Sequence, residues 1–332
     1  LSSEIRIGDV RLRNNVLLAP MSGITDWPFR TMAQDYGAGL VVSEMVQAQY
    51  LADQKPDVLL RAEGRGISPF AVQLAGRDPR WMEEATRLAQ DLGADLIDIN
   101  FGCPARKVTS GLSGSALMRE PALALRLIEA VVGAARVPVT LKMRMGWDHD
   151  DLNAPDLARR AWNAGAQMIT VHGRTRCQFY KGRADWRFIR LVKRAVPVPV
   201  IANGDIGSVA EARQALTLSE ADGVMIGRGA VGRPWLLTEA AAALGGWSAP
   251  PETRRERAER VVAHYERAMS HYGKELGVRC TRKHVAAYID NVPAPEPERA
   301  RWRASLMREV NPDRVRDGLA ALFDHPAMEL AA

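Results

Sequence analysis

Cys103 is the side chain in this sequence best placed for chemistry. It lies in Ile97-Asp98-Ile99-Asn100-Phe101-Gly102-Cys103-Pro104-Ala105-Arg106-Lys107-Val108. An apolar strand over Ala94 to Ile99 runs there into a glycine turn and a proline that blocks further sheet pairing. A thiol at that point is presented at the strand's carboxyl end. Free cysteines are more often small buried hydrophobes. Here Asn100, Gly102, Arg106 and Lys107 make the surroundings polar, flexible and electropositive, which favours a thiolate or a positioned proton donor. Asp98 shares the strand face of Asn100.

The elements that must position this thiol are legible as alternation. Eight strand candidates, each ending in Gly, Asn, Pro or polar residues, run Val16 to Ala19, Leu40 to Ser43, Phe70 to Leu74, Ala94 to Ile99, Val139 to Met143, Met168 to Val171, Val198 to Ala202 and Gly223 to Ile226. A short alternating leader that reads as a hairpin precedes them. Stretches of helical period lie between, among them Pro79 to Leu92, Pro121 to Ala135, Ala154 to Ala164, Asp185 to Ala195 and Ser208 to Leu218. Near-continuous apolar strands alternating with helices predict a closed (β/α)8 TIM barrel rather than an open doubly wound sheet.

In such a barrel the polar residues at the strand ends converge on one mouth. They are Pro20, Met21 and Ser22; Glu44; Gln73; Asn100 and Cys103; Lys142 and Arg144; His172; Asn203, Gly204 and Asp205; Gly227 and Arg228. An ammonium directed into that mouth is costly unless something anionic faces it. For Lys142 the sequence leaves open a pair with Glu44 or Asp98, or a bound group such as the N1 and C2 carbonyl edge of a reduced flavin. Gln73 and Asn100 could hydrogen-bond the polar edge of such a ring. His172 reads equally as a satisfied core histidine or as a contact to the flavin or its phosphate arm. Gly227 to Gly232 matches G-x-G-x-x-G, but no strand follows it, as a dinucleotide-binding unit requires. Together with Asn203-Gly204-Asp205 it reads instead as the phosphate site that barrels build after strands seven and eight, suited to a mononucleotide.

Length and composition agree. The 332 residues suffice for one barrel of about 250 residues plus an appendage. The expected division is a barrel over 1–244, a linker at 245–251 and a helical unit over 252–332. In that unit Arg254 to Lys274, Val278 to Asp290, Glu296 to Val310 and Asp313 to Phe323 read as helices of a small bundle. A hydrophobic content of 47% and a charged content of 25% are those of an ordinary globular protein, with no apolar run of the roughly 18 residues that a membrane span needs. The start of the chain has no apolar core of signal-peptide type, so the expectation is cytoplasmic. Three widely spaced cysteines, Cys103, Cys177 and Cys280, indicate neither disulfides nor a metal site. A formal charge of +6 is compatible with a polyanionic partner and equally with a solvated surface. The cluster Arg279, Arg282, Lys283 and His284, placed around one side of a helix, has the same two readings.

Taken together, Ala19-Pro20-Met21-Ser22-Gly23-Ile24-Thr25-Asp26, Ser43-Glu44-Met45, Asp98 to Pro104, Lys142-Met143-Arg144, Val171-His172-Gly173-Arg174-Thr175, Asn203-Gly204-Asp205-Ile206 and Ile226-Gly227-Arg228 resemble the tRNA-dihydrouridine synthases over nearly the whole chain. The variant Cys103-Pro104-Ala105-Arg106-Lys107-Val108, followed by Gly114 to Leu117 and Arg282-Lys283-His284, is most similar to the bacterial DusB branch. The resemblance implies an FMN enzyme that reduces the C5–C6 double bond of uridine in tRNA, with NADPH recharging the flavin. By its branch the target would lie in the D-loop, at about position 17 or a neighbour, on a base turned out of the RNA.

It further implies that Pro20, Met21, Ser22, Gln73, Lys142, His172, Asn203, Gly204, Asp205, Gly227 and Arg228 hold FMN and that Cys103 is the general acid. Hydride arriving at C6 leaves charge at C5 and O4, which a thiol on the other face can neutralise at C5. Asn100 and Arg144 would orient the uracil. Arg106, Lys107, Arg279, Arg282, Lys283 and His284 would meet the RNA backbone. No metal is expected, and the protein is expected to act as a monomer. Two other readings fit the mouth or the tail alone: a barrel flavoenzyme for a free pyrimidine or enone, and an RNA-binding module without catalysis.

Overall fold

In the computed structural model, which describes residues 4–324, the leader is an antiparallel hairpin of β1 (Ile5–Ile7) and β2 (Val10–Leu12). There follow β3 (Val16–Leu18), β4 (Leu40–Val42), β5 (Val46–Gln47), β6 (Phe70–Ala75), β7 (Leu96–Phe101), β8 (Val139–Arg144), β9 (Met168–His172), β10 (Val200–Asn203) and β11 (Gly223–Ile226). Parallel pairing runs from β4 through β3, β11, β10, β9, β8 and β7 to β6, and Val41 opposite Phe70 closes the ring. The expected eight-stranded barrel is thus present. The two-residue β5, too short to carry a sequence signal, continues the line of β4 beyond Ser43-Glu44-Met45 and pairs with β6.

Two buried layers follow from strand alternation. Leu17, Leu40, Ala71, Leu96, Met168, Ile201 and Met225 form one cluster with Ile5, Ile7 and Leu12 of the hairpin. Ile5 abuts Gly223 at the start of β11, and Gly8 abuts Pro138 and Gln167 just before β8 and β9. The hairpin therefore plugs the amino-terminal end, leaving the carboxyl end as the open mouth. The alternate residues, such as Val16, Leu18, Val72, Ile97 and Leu141, belong to the larger cluster that includes the helices.

Helix starts follow the local chemistry. Asp26, Asp78, Asp185 and Ser208 accept from the first-turn amides of the helices Trp27–Asp35, Pro79–Asp91, Trp186–Ala195 and Val209–Ser219. Beyond the helix Leu236–Gly245 come four more, Arg254–Tyr272, Lys274–Asn291, Glu296–Leu306 and Pro312–Asp324. Thr253 and Glu256 form a capping box on the first of them. Gly273, at φ 77°, separates the first two, so the second begins at Lys274, earlier than the expected Val278.

These helices share the barrel's buried cluster: Phe29, Met32 and Tyr36 lie in it with Val261, Tyr265, Tyr288 and Phe323. The Tyr288 hydroxyl meets Met32 Sδ at 3.2 Å. No strand follows β11 among the described residues, in keeping with the rejection of a dinucleotide fold. Gly232 in that decoy motif has a packing reason instead, since a β-carbon there would stand 2.3 Å from the Ala287 carbonyl of the second tail helix. No helix among the described residues is long and apolar enough to cross a membrane.

Candidate active site

At the open mouth the strand ends enclose a cleft of about 810 Å³, a size typical of cofactor and small-molecule sites. It is lined by Pro20, Met21, Ser22, Gln73, Lys142, His172, Asn203, Gly204, Asp205, Gly227 and Arg228, and also by Asn100, Cys103 and Arg144. The basic residues Arg106, Arg279, Arg282, Lys283 and His284 are outside its walls. Lys107 begins a short helix with Arg106, and its side chain lies outside the described ones.

A chain of hydrogen bonds fixes the backbone that carries the thiol. Thr140 Oγ1 donates to Asp98 Oδ1 at 2.6 Å, Gln73 Nε2 to Asp98 Oδ2 at 2.7 Å, and Asn100 Nδ2 to Gln73 Oε1 at 2.7 Å. Asn100 Oδ1 then accepts from the backbone amides of Gly102 at 3.1 Å and Cys103 at 2.9 Å. On the other side the Cys103 carbonyl accepts from Ser115 through its amide at 3.0 Å and its hydroxyl at 2.8 Å. Both backbone groups of Cys103 are thereby held while its side chain stays half-buried. Asp98 anchors the chain, and burial pushes its carboxyl pKa up against the pull of Thr140, Gln73 and Lys142.

Arg144 braces the same turn. It donates to the carbonyls of Gly102 at 2.8 Å, Thr175 at 2.9 Å and Phe179 at 2.8 Å, tying the thiol loop to the segment after β9. That segment contributes Phe179 and Tyr180 to the cleft wall. The Tyr180 ring lies under the guanidinium groups of Arg144 and Arg228, at 5.6 and 5.2 Å.

Lys142 ends in the cleft, 9% exposed, and donates to Asn203 Oδ1 at 3.0 Å. Among the described residues it forms no ion pair with Glu44 or Asp98. Glu44 accepts from the Gly23 amide, and Asp98 acts on the ammonium only through its field. Burial lowers the Lys142 pKa to about 8, with Asp98 opposing and Arg144 adding to the fall. His172 is held well below its usual range by burial and by the cations Lys142, Arg144, Arg174 and Arg228, so it faces the cleft neutral. A buried ammonium without a carboxylate partner, in a cleft rich in cations, fits a phosphorylated and electron-rich occupant.

The loops after β10 and β11 frame one side of that cleft. Asp205 Oδ2 takes hydrogen bonds from Arg174 at 2.6 Å and the Ala184 amide at 2.7 Å, and Arg228 lies 3.5 Å from Oδ1. The Asp205 carboxylate thus organises cations and loop, leaving any contact to an anion to backbone amides and to Arg228. Arg174, fully buried, also donates to the carbonyls of Lys181 and Gly182. It was seen in the sequence only as part of a motif. The signal for its role was an arginine two residues past a strand-end histidine. Gly204 has φ +113°, and a β-carbon there would stand 2.7 Å from the His172 ring. Gly204→Ala is expected to destabilise the fold by about 1–3 kcal/mol through strain and overlap, read as a lower thermal midpoint.

The expected basic face is corrected at His284. Arg279 and Lys283 are exposed and Arg282 is half-buried, but His284 is 2% exposed, with its ring 4.7 Å from that of Phe29. It continues the buried stripe of Thr281, Val285 and Tyr288, and a helix turns Arg279 and His284 to different sides. It offers nothing to a polyanion. Lys283 reaches the mouth: its ammonium is 2.9 Å from where a β-carbon on Gly23 would be, in the loop whose Met21, Ser22 and Ile24 line the cleft.

Known proteins share this architecture. The barrel resembles solved structures of histamine dehydrogenase from Rhizobium sp. 4-9, with a TM-score of 0.55 at 14% identity over 71% of this chain and 47% of that one, and of morphinone reductase, with a TM-score of 0.52 at 13% identity over 75% and 90%. At such identities the likeness is one of fold. Sequence relatives are nearer. A protein of Rhodobacter capsulatus named probable tRNA-dihydrouridine synthase is 54% identical over 93% of this chain and 94% of its own length. The tRNA-dihydrouridine synthase B of Pseudomonas putida is 44% identical over 91% and 90%. With the dihydrouridine synthase family model also matching residues 17–325, the chain belongs to the dihydrouridine synthase family and is an oxidoreductase.

Proposed function

We propose that this protein reduces the C5–C6 double bond of uridine in tRNA, using FMN held in the mouth of the barrel and NADPH as reductant. The observation that carries the reading is one cleft in which Cys103, its backbone held on both sides, shares the walls with Lys142, a buried ammonium that forms no ion pair among the described residues. The printed names of its relatives support the substrate class.

The chemistry that bound FMN would supply, recharged by NADPH, is hydride donation to C6 of the uracil. Everything else falls to the chain. Lys142 stabilises negative charge in the cleft, and Gly204, Gly227 and Arg228 hold the phosphate, with Asp205 keeping Arg228 in place. Pro20, Met21 and Ser22, after the neighbouring strand β3, form the adjoining wall beside Gly227. Neutral His172 and the amide of Gln73 offer hydrogen bonds without adding charge. Cys103 Sγ delivers its proton to C5, completing the reduction. Asn100 serves this step by pinning the backbone of Cys103, and Arg144 by bracing the turn, rather than both acting first on the base.

Arg279, Arg282 and Lys283 on the tail helix and Arg106 after the thiol meet the RNA backbone, and the resemblance gives Lys107 the same role. The D-loop, at about position 17, is the favoured target, on a base turned out of the fold so that it reaches the mouth. The decisive experiment supplies unmodified tRNA and NADPH and scores dihydrouridine by mass. Formation in tRNA and not on free uracil is expected; absence of product, or equal activity on free uracil, overturns the reading. Affinity for tRNA is also expected to fall, for each tenfold rise in salt, by about 0.9 logarithmic units per neutralised phosphate on duplex regions. Exchanging Arg282 and Lys283 together for Ala flattens that slope by nearly two units if both touch phosphate; an unchanged slope removes them from the interface.

A further inference from the structure

Where the tail crosses the helix that follows β3, three ligand-type side chains meet in the core. Asp26, His264 and His284 are 7%, 1% and 2% exposed, and one donor atom of each lies within 4.8 Å of the other two. Neither the cleft chemistry nor the RNA surface uses them. Sequence spacing concealed the group, because Asp26 stands in the first loop of the barrel and the two histidines stand on different tail helices.

The hydrogen bonding of the group is incomplete in a specific way. His264 Nδ1 is 3.0 Å from the Tyr288 hydroxyl, whereas its Nε2 is buried with no partner. Neither ring nitrogen of His284 makes a well-formed hydrogen bond, its backbone neighbour being the Ile24 carbonyl. Orphaned nitrogens in a closed core call for an explanation. With the Tyr288 hydroxyl donating to Met32 Sδ, its oxygen is free to accept from His264 Nδ1, a tautomer that leaves the lone pair of Nε2 for a ligand. The carboxylate beside them is already oriented, with Asp26 Oδ1 accepting from the Phe29 amide at 3.1 Å and Oδ2 from the Tyr272 hydroxyl at 3.0 Å.

We propose that Asp26, His264 and His284 bind a divalent transition-metal ion of the Zn²⁺ type, joining the first loop of the barrel to the two tail helices. Two imidazoles and a carboxylate are donors of the kind that bind zinc. Metal-to-ligand distances of about 2.0–2.2 Å require donors about 3.3–3.5 Å apart, so the group needs to contract by roughly an ångström. Tyr288 on His264 and Tyr272 on Asp26 are the outer hydrogen bonds that orient such ligands. The ion would act as a structural clasp behind the loop of Met21, Ser22 and Ile24, with no part in proton transfer to the base.

The test uses the full chain, stripped with a chelator and then offered Zn²⁺ or Co²⁺ followed by gel filtration. One metal per chain is expected by elemental analysis, together with a rise in the thermal midpoint that Mg²⁺ does not reproduce. The Co²⁺ form, measured as a difference from the Zn²⁺ form, is expected to show visible d–d absorption. His264→Gln is expected to lose stoichiometric metal. Tyr288→Phe, which keeps the packing, is expected to weaken binding by about 10- to 100-fold. Failure of the unaltered chain to retain either ion overturns the proposal whatever the variants do. Undiminished binding by a folded His264→Gln protein overturns it as well, since the metal must then sit elsewhere.

Discussion

Cys103→Ala is expected to retain flavin and to consume NADPH, yet to reduce uridine in tRNA about 10²- to 10⁴-fold more slowly, the range associated with a positioned general acid. The hydrogen bonds that hold residue 103 run through its amide and carbonyl, to Asn100 and Ser115. Removing the sulfur therefore leaves the turn in place, and the loss reports chemistry rather than folding. Cys103→Ser is expected to fall close to the alanine variant, because an alcohol is a far poorer acid than a thiol. Single-turnover reaction of pre-reduced protein with tRNA isolates the step. A rate equal to that of the parent would remove Cys103 from the mechanism.

Lys142→Met is expected to weaken flavin binding by about 10- to 100-fold, the scale of a hydrogen bond to a charged partner. It should also carry an unusual sign in stability. The ammonium is buried with a pKa lowered to about 8 from an ordinary 10.5, so between those two values the unfolded chain binds the proton more tightly than the folded one. Stability of the flavin-free protein accordingly rises as pH climbs through that window, and the penalty of the buried charge is fully present below about 8. Methionine should thus stabilise the flavin-free protein at neutral pH while impairing its loading. In the parent, affinity for the flavin should decline above about pH 8 as the lysine loses its proton. Flavin titrations across pH, paired with melting of the empty protein, test both halves. A pH-independent affinity in the parent would show that the ammonium does not face the flavin.

The barrel was readable because its eight strands are apolar runs cut off by glycine, asparagine or proline, and each is found within two residues of its expected ends. The mouth was readable for the same reason, since a strand's last residue and the topology suffice to say where it points. What the sequence could not supply was pairing across distance. That Asn100 would bond Gln73 and the backbone of Cys103, or that Arg144 would be committed to three carbonyls, depends on strand register and loop paths. His284 shows a different failure. Its neighbours Arg282 and Lys283 suggested a basic surface, yet the spacing to Thr281 and Tyr288 already placed it on the buried stripe of the helix. Charge adjacency outweighed periodicity, and periodicity was the better guide.

The continuity of the buried cluster between the Trp27–Asp35 helix and the tail has a consequence for descent. A chain severed after Leu244 would expose Phe29, Met32 and Tyr36 as a greasy flank and would clump before it could be assayed. Nor could a foreign tail be grafted on without matching changes in that helix. Lineages that alter how they grip their substrate must therefore revise the barrel's flank in step.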